Sequence, residues 1–241
     1  VHYGKLSGSG ASLGCIESVG VAKEGRITIG CLGLWDDEQV EPFAEVIRTM
    51  RAINPDIKVM VQLNHSGRKG SHDVQWVGKL LSPQEGGWVV KSASPISAGG
   101  AYPVPEMMSK ADIDTVVEAY AKAAARAQAA GVDSIQLHAA HGYLVHQFLS
   151  PISNQRDDEY GGSLENRMRM PLRVFEAMKK VAPDVVLGVR VSATDWIEGG
   201  WNEADTIVFV NALKPLGCEF VDVSTGGLAE HQVVPVAYGY Q

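Results

Sequence analysis

The chain has 241 residues, enough for one βα barrel or two smaller domains. Hydrophobic residues make up 45% and charged residues 20%, a balance that buries a large core. A formal net charge of −7 without any basic run repels phosphate backbones, which argues against nucleic acid as the main partner.

The opening residues, 1–10, read as a helix that should follow an earlier strand. Five apolar runs then read as strands: Ser12–Ser18, Lys58–Leu63, Ser134–His138, Val185–Val191 and Phe220–Ser224. They are apolar nearly throughout rather than alternating, as parallel strands covered on both faces are. Helical segments separate most of them. Asp36 caps one that runs to about Ile53, with Gln39 completing a capping box. Ser109 and Asp112 open an alanine-rich helix that stops at Gly131. Ser163 opens a third, expected to be interrupted or kinked near Pro171 and to end before Pro183. Asn202 caps a fourth, which ends near Gly217. Between the second strand and second helix lies a long connection, Asn64–Met108, expected to be an active-site cover with a small hairpin. No apolar run approaches the roughly 18 residues of a membrane span.

This rhythm means an α/β fold with a parallel sheet and right-handed crossovers. No GxGxxG opens a helix after a strand, whereas Glu17, Gln62, His138, Arg190 and Ser224 stand at or near successive strand ends. Polar residues at the C-terminal ends of many strands are the signature of a (βα)8 TIM barrel. Five strands do not close such a barrel. The expectation is therefore a single domain over 1–241 that is the central portion of a barrel, without its first strand and its last two.

Several of these positions have chemistry to offer. Arg190 carries a permanent cation that could stabilise charge on an electron-accepting ring, or could make a structural ion pair. Gln62 offers a donor and an acceptor that match the edge of a pyrimidine ring, or that satisfy loop backbone. His138, His141 and Tyr143 form a compact group. Two imidazoles so placed could bind a metal with His65 or His146, act as acid and base, or donate hydrogen bonds to a substrate oxygen. No metal motif spacing is present, so no metal is expected. Glu17 reads as a buried acid, His72 as a solvated loop residue, and Asp157–Glu159 as a solvated turn. Cys15, Cys31 and Cys218 are odd in number without CxxC spacing, which weakens both disulfide-framework and metal-site readings; Cys15 and Cys218 are expected as buried free thiols in a reducing compartment.

Three longer strings carry a resemblance. They are Gln62-Leu-Asn-His65-Ser-Gly67-Arg68-Lys69, Leu137-His-Ala-Ala-His-Gly-Tyr-Leu144, and the segment from Phe148 through Asn154, Arg156, Tyr160 and Ser163 to Arg167. With them the chain resembles the old yellow enzyme family of FMN-dependent ene-reductases, nearest its bacterial, thermophilic-like subgroup. The resemblance implies a TIM barrel with FMN at the C-terminal face and NADPH or NADH as reductant. It implies flavin contacts from Gln62, Arg190 and the backbone at Ser18, and a substrate carbonyl or nitro oxygen held by His138 and His141. Tyr143 matches the proton donor, and Lys69 a residue on the substrate side of the flavin. The implied reaction carries hydride through flavin N5 to the activated C=C of enones or nitroalkenes. Related FMN barrels acting on dienoyl-CoA or amines, and a non-catalytic barrel fragment, are the alternatives. A cytoplasmic homo-oligomer is expected. The family's first-strand cysteine and tyrosine, and its FMN-phosphate loops after the last two strands, have no counterpart in this chain, so a full phosphate site is not expected from these residues alone.

Overall fold

The computed structural model describes residues 1–234. The remainder of the expected single domain, 235–241, lies outside the described residues. In chain order the elements are α1 (His2–Gly8), β1 (Leu13–Gly20), α2 (Val40–Ile53), β2 (Lys58–Asn64), β3 (Lys91–Ser92) and β4 (Glu106–Met107). They continue with α3 (Lys110–Ala130), β5 (Ser134–Ala139), α4 (Leu144–Leu149), α5 (Leu164–Val181), β6 (Val186–Ser192), α6 (Glu203–Leu213) and β7 (Phe220–Ser224). The five strands read from the sequence are the five of one sheet, in the order β1-β2-β5-β6-β7. Every neighbouring pair is parallel. Helices α2, α3 and α5 cover its outer face, with Ile47, Met50, Tyr120, Val174 and Phe175 at 1% exposure or less. The result is part of a TIM barrel.

Local chemistry explains most boundaries. The Asp36–Gln39 capping box forms, but over a tight 3-10 turn, Asp37–Gln39, that leads into α2. Pro42 has no N–H to give to the carbonyl four residues back, so the α-helical ladder starts late. Ser109 and Asp112 cap α3 reciprocally, and Gly131 ends it at φ +89°. The kink expected at Pro171 does not interrupt α5, which stays one element while packing against α3 and α4. Helix α4 was not legible as a separate element, because all six of its residues are buried and show no amphipathic period.

Other expectations need correction. The small hairpin in 64–108 is instead a pair of two-residue strands, β3 and β4, that run parallel. Glu17 is exposed and accepts a hydrogen bond from Tyr3 at 3.2 Å, since it points into the mouth of the sheet. Cys15 and Cys218 are only half-buried, because Cys15 lies on an edge strand and Cys218 on the approach to the other edge. His72 is half-buried against Tyr102, with ring centroids 5.0 Å apart. Asp158 is no solvated turn residue but the partner of Arg156, 2.6 Å away.

That last pair belongs to a knot of backbone capture around the segment after α4. Asn154 donates to the carbonyls of Phe148 (2.7 Å) and Tyr160 (2.8 Å). Arg156 donates to Ala93 (3.0 Å) and Met108 (2.7 Å), so it ties β3 and β4 to the barrel. Arg167 donates to Leu149 (2.7 Å) and Gly162 (2.5 Å). Replacing Arg156 by Met strands two buried carbonyls, at roughly 1–3 kcal/mol each. Urea unfolding of Arg156→Met should therefore show a midpoint well below that of the parent with an unchanged slope; an unmoved midpoint would contradict the assignment.

Candidate functional site

The strand ends place the chemistry. In β5, Gln136 and His138 face the inside of the barrel, and the register sets His138 beside Arg190 and Arg190 beside Asp222. Gln62 of β2 stands beside Gln136. After β5 the chain turns sharply: His141 has φ +56° and Gly142 φ +71°. A non-glycine residue in the left-handed region is strained and persists only where its surroundings hold it. Here the loops after β5 and β7 are in close contact, for a side chain on Gly142 would come within 2.3 Å of the Gly227 carbonyl. Ser18, in the bulged end of β1, is also left-handed at φ +47°.

The turn brings three rings together. The His138 and His141 centroids are 5.1 Å apart, nearly perpendicular, and Tyr143 lies 4.9 Å from His138. His138 Nδ1 accepts the backbone N–H of Ala140 at 3.3 Å, so in the neutral ring the proton sits on Nε2, aimed away from that turn. His141 Nε2 is 2.7 Å from Ser224 Oγ. Lys69 donates to the carbonyls of His141 (3.0 Å) and Gly227 (2.9 Å), and its ammonium lies 5.2 Å from the Tyr143 ring centre.

Burial sets the protonation states. It holds His138 well below the usual histidine range, helped by the positive potential of His141 and Arg190. His141 is lowered to about 4 by burial and by Arg190. Tyr143 is pushed up to about 12 by burial, so its phenol keeps its proton. Lys69 is lowered to about 8, by burial and then by Arg68. At neutral pH the turn therefore presents two neutral imidazoles and a protonated phenol.

A second group of residues lines the inner face. Gln62 Nε2 donates to Gln136 Oε1 at 2.6 Å, and Gln136 Nε2 donates to Asp222 Oδ2 at 3.1 Å. Arg190 Nε is 3.4 Å from the same carboxylate. Its guanidinium makes no hydrogen bond to any described residue. Asp222 accepts only, so it fixes the direction of both amides and leaves the Gln62 carbonyl oxygen uncommitted. A cleft of about 540 Å³ opens alongside, lined by Glu17, Ser18, Cys31, Tyr102 and Tyr143 among others. Lys69 and Tyr102 line a neighbouring cleft of about 360 Å³.

Ser18, Gln62, Lys69, His138, His141, Tyr143 and Arg190 thus gather at or just beyond the C-terminal ends of β1, β2, β5 and β6. Gln136, Asp222, Gln147 and Asp195 were missed, and His146 was weighed only as a metal ligand. Asp222 was detectable as the polar alternate of Phe-Val-Asp-Val-Ser, but the others act through partners far away in sequence. His65 and His146 do not join a metal centre, since no group of three metal-ligating side chains occurs among the described residues. His65 Nδ1 instead accepts the Gly67 N–H at 3.1 Å. No described helix is long and apolar enough to cross a membrane.

The described residues thus form part of a TIM barrel with two imidazoles, a phenol and the Arg190 guanidinium at its mouth. Residues 1–240 match the family described as NADH:flavin oxidoreductase / NADH oxidase, and the chain belongs to that family, as the resemblance to old yellow enzymes implied. It is 38% identical over 254 residues to an NADH:flavin oxidoreductase of Gibberella zeae, covering 99% of this chain and 61% of that one. It is 40% identical over 240 residues to an NADPH dehydrogenase of Listeria innocua, covering 100% of this chain and 66% of that one. Among solved structures, morphinone reductase superposes with a TM-score of 0.78 at 26% identity, over 92% of this chain and 60% of its own. An old yellow enzyme homologue from Zymomonas mobilis gives 0.77 at 28% identity, over 92% and 62%. The chain thus spans three fifths to two thirds of the length of these relatives. The family's cofactor is FMN, and the inner face offers groups that suit it: an uncommitted amide oxygen on β2 and, across β5, the Arg190 guanidinium on β6, paired with Asp222.

The low imidazole pKa values have a consequence for stability. Below about pH 6.5 the unfolded chain's histidines take up protons. His141 does not do so until about pH 4, and His138 lies well below its usual range. The unfolded state then binds more protons, so stability falls as pH drops from 6.5 towards 4. Replacing both histidines by Gln should flatten that fall in urea titrations; an equally steep fall would show that the pair is charged in the native protein.

Proposed function

We propose that the full-length protein is an NAD(P)H-dependent flavin reductase of activated double bonds. The supporting observation is the neutral His138–His141 pair, the first buried and the second half-buried, with Tyr143 on the wall next to Gln62 and Arg190. Bound FMN would supply the two-electron transfer from nicotinamide to substrate. Gln62 and the backbone at Ser18 would hold the polar edge of the flavin, and Arg190 the side where negative charge accumulates on reduction.

His138 and His141 donate hydrogen bonds to the carbonyl or nitro oxygen of the substrate. Neutral donors suit this work, because an enolate-like oxygen gains charge during the reaction and a fixed N–H stabilises it without having to give the proton up. Tyr143 keeps its proton at neutral pH and can deliver it to the carbon next to the carbonyl. Lys69 holds the His141 carbonyl and lines the cleft on that side, so residues 64–108 act as a cover that also positions the turn. The enzyme is proposed as a cytoplasmic homo-oligomer acting on enones, nitroalkenes or similar small molecules.

The test is spectroscopic. The full-length protein reconstituted with FMN should be yellow, bleach with NADPH and recover its colour with cyclohexenone. Absence of a flavin spectrum after reconstitution would overturn the proposal. The His138→Ala/His141→Ala variant should lose roughly 10²-fold or more in reoxidation by cyclohexenone while still binding FMN. Parallel loss of both would mean that the pair is structural. Tyr143→Phe should slow the proton-dependent step by roughly 10²-fold or more, unless water replaces the phenol, in which case a solvent isotope effect on reoxidation would grow.

A further inference from the structure

Behind the turn lies a second histidine–carboxylate pair that the proposed mechanism does not use. His146 of α4 and Asp195, in the loop after β6, are both fully buried, with Nε2 and Oδ1 2.9 Å apart. The two atoms are in ion-pair range but fall short of hydrogen-bond geometry, and neither has a hydrogen-bond partner among the described residues. On its other side His146 Nδ1 accepts the backbone N–H of Gly142 at 3.0 Å. A ring nitrogen that accepts carries no proton, so the ring proton of His146 lies on Nε2, facing the carboxylate. The Asp195 carboxylate has its second oxygen committed as well. Oδ2 accepts from Ser150 Oγ at 2.6 Å and from the Trp201 N–H at 2.9 Å.

The captured N–H belongs to the peptide joining His141 to Gly142, the two left-handed residues of the turn. The same peptide's carbonyl is held by Lys69 at 3.0 Å. The plane that orients His141 and leads into Tyr143 is thus gripped at its oxygen by Lys69 and at its nitrogen by His146.

We propose that Asp195 and His146 are positioning residues: Asp195 selects the Nε2–H tautomer of His146, which lets Nδ1 hold the Gly142 N–H and sets the His141–Tyr143 turn. In Asp195→Asn the oxygen must remain at the Oδ2 position, where two donors point. The amide NH2 then faces His146 Nε2. Donor meets donor, the ring moves its proton to Nδ1, and Nδ1–H opposes the Gly142 N–H. The turn loses one of its two grips with almost no change in side-chain shape.

The direct test is nitrogen-15 NMR of the His146 ring in the full-length protein, which requires neither cofactor nor substrate. The parent should show Nδ1 unprotonated, and Asp195→Asn should show the opposite tautomer. A protonated Nδ1 in the parent, or an unchanged tautomer in the variant, would overturn the proposal. The kinetic arm rests on the function proposed above. Asp195→Asn should slow reoxidation by cyclohexenone roughly 10²-fold, the scale of a misplaced catalytic group, while FMN affinity holds. Ser150→Ala removes a bond to the same carboxylate without reversing any polarity, so it should lower thermal stability and leave the tautomer and the rate in place. Equal rate loss in both variants would reduce the pair to packing. Should Asp195→Asn fail to fold, His146→Gln, which keeps one acceptor and one donor, should retain more activity than His146→Leu; equal activity would overturn the proposal. Failure to bind FMN would defeat the functional reading alone, since the tautomer experiment still decides this one.

Discussion

A polar turn buried at the end of a parallel strand must find partners for every N–H and C=O it carries, and that demand organises this site. The stretch after β5 is left-handed over two residues and is enclosed by neighbouring loops. Its four backbone donors and acceptors at His141 and Gly142 are met one by one. The His141 N–H goes to Ser192, and its carbonyl receives Lys69. The Gly142 N–H goes to His146, and its carbonyl receives Gln147 at 2.7 Å. These partners come from β6, from the segment after β2 and from α4. One short turn therefore joins most of the C-terminal face, and the two imidazoles that flank it inherit that rigidity.

The same enclosure sets the electrostatics. A histidine in water is half charged near pH 6.5, but burial and the nearby Arg190 remove that option for His138 and His141. Tyr143 is kept protonated for the same reason. The site is thus divided into a neutral, hydrogen-bond-donating wall and a wall that carries the Arg190–Asp222 ion pair. The first suits an oxygen that gains charge, and the second suits a ring that accepts electrons. The chain Gln62–Gln136–Asp222–Arg190 ties the second wall together, with the carboxylate fixing the polarity of both amides.

Much of this was legible in the amino-acid sequence because it depends on local rules. The five strands were visible as short apolar runs, and the caps at Asp36, Ser109 and Asn202 were visible because capping uses residues within four positions of one another. His138, His141, Tyr143, Gln62 and Arg190 announced themselves by standing at strand ends. The string from Phe148 to Arg167 was recognisable as a motif, but its work as a backbone clamp on β3, β4 and the loop after α4 was not.

What the sequence determined, then, was the order of elements and the identity of the residues at the mouth of the sheet, since periodicity and capping act over a few residues. Tertiary structure decided which of those residues meet. It exposed Glu17, paired Asp158 with Arg156, carried α5 through Pro171 as one helix, and set Asp195 behind His146 across 49 positions of chain. Those outcomes depend on which strands become neighbours and on how much water is left between their loops, and no window of sequence contains either quantity.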